Sequence, residues 1–132
     1  VEMPEEISLK YNIGNTHFQM RNFQEAEESL WAAANSDMPE LQQRAFYNLG
    51  NCAYRQGKLE EAVDHYTAAI EIAGADASHI YYSNRANCYL EMRKFDECIL
   101  DCDKSISINS KFSKSYFRKG KAQLFQEKFK DS

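Results

Sequence analysis

Six asparagines stand in three matched pairs, Asn12 with Asn15, Asn48 with Asn51 and Asn84 with Asn87, inside stretches whose apolar spacing is helical. Asparagine is a poor helix-interior residue because its amide competes with the backbone for hydrogen bonds, so the repetition needs a reason. A carboxamide both donates and accepts, which suits it to hold the backbone of an extended peptide whatever side chains that peptide carries. At the matching place further along, Arg118 and Lys121 replace the two asparagines, and Lys114 lies one turn before Arg118 on the same face. A lysine and an arginine so spaced offer charge-assisted bonds to a carboxylate. Tyr11, Tyr47 and Phe117 share one register position, where Ser83 takes the remaining place. Aromatic groups there could hold apolar residues of a partner. The alternative for both sets is structural: amides that bond one element to the next, and rings that pad the gap between helices.

Other reactive groups are less promising. His17, His65 and His79 have no serine or cysteine at catalytic register, and no GxGxxG, P-loop or HExxH motif occurs. No acid, base and nucleophile converge, so the sequence predicts a non-enzymatic chain without cofactor or metal. Cys52, Cys88, Cys98 and Cys102 lack the CxxC spacing of a zinc site. They read as small apolar residues, reduced and packed, as in a cytoplasmic protein.

The elements that must position these groups come from an internal repeat. YNIGNTHF (11–18) recurs as YNLGNCAY (47–54), SNRANCYL (83–90) and FRKGKAQL (117–124), at spacings of 36, 36 and 34 residues. The small central residues are Gly14, Gly50, Ala86 and Gly120. A second segment follows each time: NFQEAEESLWAA (22–33), KLEEAVDHYTAA (58–69), KFDECILDCDKS (94–105) and a shorter KFKDS. Apolar residues fall at i, i+3, i+4 and i+7 rather than alternating, which predicts paired amphipathic helices and no strands. Tight turns are expected at 20–22 and 55–57.

This pattern resembles the tetratricopeptide repeat family. The second unit carries it most fully, in Phe46, Leu49, Gly50, Ala62, Tyr66 and Ala69; the third substitutes Cys98 and Cys102 for the alanine and the aromatic. Pro39 stands one place later than the proline that ends such a repeat. The resemblance implies an all-α helix-turn-helix solenoid, a right-handed superhelix with first helices on the concave wall. Its parts would be repeat one at 6–40, repeat two at 41–76, repeat three at 77–112, and the first helix of a fourth at 113–132.

Within that family, Asn51, Asn84, Lys114 and Arg118 are similar to four of the five positions of the carboxylate clamp, which holds acidic chaperone tails ending in Glu-Glu-Val-Asp. The fifth departs: the family has a lysine four residues before Asn51, and this chain has Tyr47. A phenol brings one hydrogen bond and no charge, so grip on a dianionic terminus should fall. The resemblance implies a co-chaperone or adaptor domain binding an extended acidic peptide of the kind that forms the C-terminal tail of a heat-shock chaperone. Asn12, Asn15, Asn48, Asn51, Asn84, Lys114, Arg118, Lys121, Tyr47 and Phe117 form its candidate site. The alternative is a scaffold that assembles a complex through a folded partner or through its own C-terminal end.

Composition sets the outer bounds. The 132 residues are 43% apolar and 27% charged, enough to bury a core. No run approaches the ~18 apolar residues of a membrane span. The net charge of −4 is uneven: residues 1–76 hold 13 acids and 5 bases, residues 77–132 hold 7 acids and 11 bases. An acidic half repels phosphate, which argues against nucleic acid despite the basic stretch from Lys111 to Lys130. One acidic and one basic end favour an oriented partner or end-to-end association. The start at Val1 and the stop within a repeat read as a fragment or a processed chain.

Overall fold

A computed structural model of the chain describes residues 2–130. Seven α-helices follow in order: α1 (Pro4–Gln19), α2 (Phe23–Ala34), α3 (Pro39–Arg55), α4 (Leu59–Ala73), α5 (His79–Glu91), α6 (Phe95–Ile108) and α7 (Ser113–Lys128). A 3-10 turn, Gly74–Asp76, follows α4, and no strand occurs among the described residues. The chain divides into two compact units, one up to Asp76 with α1 to α4, the other from Ala77 with α5 to α7.

Helix starts follow from local chemistry. Pro4 and Pro39 sit in the first turn of α1 and α3, where a missing N–H costs nothing because that group has no helical partner. Pro39, in a place that suggests a late repeat-ending proline, is therefore also a helix opener. At α5 the Ser78 hydroxyl accepts the Ile80 amide at 3.2 Å, a side-chain cap.

The first helix of each complete pair ends in one recurring device. In α1 the Asn22 amide reaches back to the His17 carbonyl at 2.8 Å and Arg21 to Phe18 at 3.0 Å. Lys58 to Ala53 with Gly57 to Tyr54, and Lys94 to Tyr89 with Arg93 to Leu90, repeat the same two bonds. This double closure needs a left-handed residue, and Arg21 (φ 64°), Gly57 (φ 78°) and Arg93 (φ 61°) supply it at 36-residue intervals. The helix spacing is thus written into the turns as well as into the cores.

In the first unit α2 packs against α1 and α3, and α3 against α4. Its core is built from Ala26, Leu30, Ala33, Ala45, Leu49 and Cys52. In the second unit α6 packs against both α5 and α7 around Ala86, Leu90, Cys98, Cys102 and Ala122. All four cysteines are buried and free. Burial pushes the Cys52 and Cys88 thiols up to about 12, so both stay protonated and unreactive at neutral pH.

Candidate functional site

The amide ladder of the first unit is assembled, and part of it is spent on itself. The Asn48 amide nitrogen donates to the Asn15 carbonyl oxygen at 2.8 Å and to the Tyr11 hydroxyl at 3.1 Å. The Tyr66 hydroxyl, arriving from α4, donates to the Asn51 carbonyl oxygen at 2.5 Å. Asn48 therefore turns its carbonyl outward as an acceptor, while Asn15 and Asn51 keep their NH₂ groups as donors. These residues line a cleft of about 390 Å³ with Tyr11, Phe18 and Gln19. No charged side chain lines it. Such a surface matches the alternating N–H and C=O of an extended peptide and gives no preference for an anion.

Tyr47 does not line this cleft; its ring lies 5.8 Å from that of Tyr66. Asn12 is exposed, and only its backbone carbonyl is engaged, by the Thr16 hydroxyl.

The cations of the candidate site lie in the second unit. One guanidinium nitrogen of Arg118, Nη1, donates to the Ser83 carbonyl at 2.8 Å, to the Ser83 hydroxyl at 2.9 Å and to the Asn84 side-chain carbonyl at 3.3 Å. Ser83 is itself held by Ser115, whose hydroxyl bonds Ser105. This fixes Arg118 from one side. Its Nε–Nη2 edge has no partner among the described residues, and that edge is the one suited to bidentate capture of a carboxylate. Lys114, one turn earlier on α7, is exposed and makes no ion pair among the described residues. Lys121 lies over the rings of Phe117 and Phe125, at 5.4 Å and 5.8 Å, and Phe117 is 66% exposed.

Two partners escaped the sequence reading. Tyr66 reads as core bulk, yet its hydroxyl orients Asn51. Ser83 reads as the missing aromatic of its register, and its small size is what admits the Arg118 head group. The break in the aromatic series was the available signal.

The arrangement of paired helices with small residues at their crossings now has its counterpart among known proteins. Residues 11–77 match the tetratricopeptide repeat, and residues 79–112 match it again. The chain belongs to the tetratricopeptide repeat family. No curated protein matches it. Among solved structures, the second tetratricopeptide domain of human RPAP3, in complex with the HSP70 peptide SGPTIEEVD, is 33% identical with a TM-score of 0.63. That alignment covers 68% of this chain and 73% of the other. The Arabidopsis OM64 tetratricopeptide domain is 35% identical with a TM-score of 0.62, covering 67% of this chain and 71% of that one. A crystal structure of MamA is similar in fold at 23% identity and TM-score 0.83, over 94% of this chain and 66% of its own. Domains of this family are protein-interaction modules, and no enzyme family matches. Among the described residues no helix is long and apolar enough to cross a membrane.

Proposed function

We propose that this tetratricopeptide domain is an adaptor that grips an extended acidic peptide, of the chaperone-tail type, by its terminal carboxylates. The observation that carries this reading is the half-anchored Arg118: Nη1 is fixed on Ser83 and Asn84, and the Nε–Nη2 edge is left open. Lys114 adds a second cation one turn away. The 33% identity to a domain bound to an HSP70 tail supports the same reading. Asn84 contributes its amide beside Arg118 in the second unit; the uncharged cleft of the first unit, around Asn15, Asn48 and Asn51, is by itself suited to peptide backbone.

A peptide ending in Glu-Glu-Val-Asp, with a free or an amidated terminus, tests it at two salt concentrations. Binding should need the free carboxylate, weaken with salt and be lost in Lys114→Ala and Arg118→Ala. Equal binding of the amidated peptide would reject carboxylate capture. It would leave the second reading, in which the cleft of the first unit binds an internal neutral segment as part of an assembly scaffold.

A further inference from the structure

The cleft of the first unit is neutral along its lining and cationic at one end. Both of its walls, α1 and α3, belong to that unit. Arg55 lies one turn beyond Asn51 on α3, and Asn51 lines the cleft. The Arg55 guanidinium stands 5.6 Å from the ring of Phe18, which also lines the cleft, and 5.3 Å from that of Phe23. The two rings meet edge-on at 5.5 Å and restrain an otherwise exposed head group. Among the described residues Arg55 makes no ion pair. The Glu27 carboxylate on α2 is taken by the side-chain amide of Gln56.

This end of the cleft is rich in donors and short of acceptors. Asn51 spends its side-chain carbonyl on the Tyr66 hydroxyl, and Asn15 spends its own on Asn48, so both present NH₂ groups. Arginine adds five N–H donors and no acceptor. The residue four after the second asparagine of each pair is Gln19 in α1, Arg55 in α3 and Glu91 in α5. Glu91 accepts from Asn87 at 3.3 Å, so that rung closes on itself. In α3 the same rung stays open and carries a positive charge.

We infer that Arg55, with the Asn51 amide, is an acidic subsite that captures the side-chain carboxylate of an aspartate or glutamate in an extended segment whose backbone lies in the cleft. This rests on the reading of the cleft as a peptide site and adds the residue that selects the peptide. Charge also sets where the acid must stand. Residues 1–76 hold 13 acids and 5 bases, so the unit repels a uniformly acidic segment. Two of those bases, Lys10 and Arg44, are already paired with Glu2 and Glu40. The favoured segment is therefore neutral along the lining and acidic at the one end that meets Arg55. Such a ligand differs from a tail held by its terminal carboxylates at Arg118.

Three acetylated peptides test this by NMR titration of the whole chain, with the Arg55 Nε–H and the Asn51 NH₂ signals as local readouts. The first is Ser-Glu-Val-Thr-Gly-Ser-Val with an amidated end, the second has glutamine for its glutamate, and the third is the glutamine form with a free C-terminus. The first should shift both signals and bind about threefold to tenfold more tightly than the second. Arg55→Gln should erase that difference and leave the second peptide's binding unchanged. Arg55→Glu should prefer a peptide with lysine in place of glutamate, which separates charge from lost ring contacts. Equal binding of the first two peptides, with shifts at Asn15 and Asn51, overturns the subsite and leaves the cleft as a backbone site. Tighter binding of the third than of the first overturns capture of a side chain. Silence of every cleft signal overturns both the subsite and the cleft, and shifts confined to Arg118 do the same while leaving carboxylate capture in the second unit intact.

Discussion

Gly50 lies directly beneath the ring of Tyr66, so close that a β-carbon on it would stand 2.5 Å from Cε1 and 2.6 Å from Cδ1. The ring cannot simply swing aside, because its hydroxyl is tied to Asn51 and its body is buried. Gly50→Ala gains roughly 1 kcal/mol of helix propensity and loses about 1–3 kcal/mol to overpacking. Net destabilisation is expected, seen as a lower urea midpoint. Gly120→Ala meets no atom and should shift the midpoint the other way by about 0.5–1 kcal/mol. Equal effects at the two glycines would mean that the Tyr66 ring yields to a β-carbon at Gly50 without cost.

The second unit contains a buried ion pair, and its removal has a calculable direction. Arg85 grips Asp101 with Nε to Oδ2 at 2.7 Å and Nη2 to Oδ1 at 2.8 Å, both side chains mostly buried. The guanidinium also lies between the rings of Tyr82 and Tyr89, at 5.7 Å and 5.9 Å. Burial pushes the Asp101 carboxyl up, against the pull of Arg85. Asp101→Ala strands a desolvated cation and should cost about 3–5 kcal/mol. The double variant Arg85→Met, Asp101→Leu should recover most of that loss. A double-mutant cycle by chemical denaturation measures it, and a double variant as unstable as Asp101→Ala would contradict the account.

What was legible in one dimension was whatever recurs along the chain. The small residues at Gly14, Gly50 and Ala86 announce close crossings, and those crossings fix the helix pairs. The division of labour among polar groups was not legible, because it depends on partners distant in sequence. Asn48 reads as one more rung of a ligand ladder, yet 33 residues separate it from Asn15, to which it gives an N–H. Arg118 reads as a free cation, and one of its nitrogens is committed to Ser83, 35 residues away. The pairing of Arg85 with Asp101 was not legible either, because nothing in a spacing of 16 residues reveals that α5 and α6 bring them together.

The chain's one tryptophan reports on a histidine. Trp31 is 38% exposed, and its ring meets that of His65 edge-on at 5.6 Å and that of Phe46 edge-on at 5.8 Å. Burial holds the imidazole below its ordinary pKa of 6.5, against Glu27, Glu61 and Asp64, which pull it upward. The unfolded chain then takes up the proton first. Stability from neutral His65 is complete above the ordinary value and is lost as pH falls through the depressed one. Because imidazolium quenches indole more strongly than imidazole does, Trp31 fluorescence should drop with a midpoint below 6.5. His65→Gln should remove that step, and a midpoint above 6.5 would rule out burial as the dominant influence.

Tyr47 stands where the family's clamp has a cation. The register that resembles the clamp calls for a lysine four before Asn51, and the tyrosine there contributes no positive charge. Its ring makes a tilted contact with Tyr66 at 5.8 Å, half-buried, so a flexible lysine stem can take much of the same volume. A hydrogen bond to a charged partner is worth roughly 1.5–3 kcal/mol. Tyr47→Lys should therefore tighten binding of a free Glu-Glu-Val-Asp terminus by about tenfold or more and steepen its salt dependence. The amidated peptide should gain little, since it lacks one of the two anions. Calorimetric titration of both peptides against both proteins provides the measurement. Equal gains for the two would assign the effect to general attraction between a more basic domain and an acidic peptide, and would count against a carboxylate-specific contact at this position.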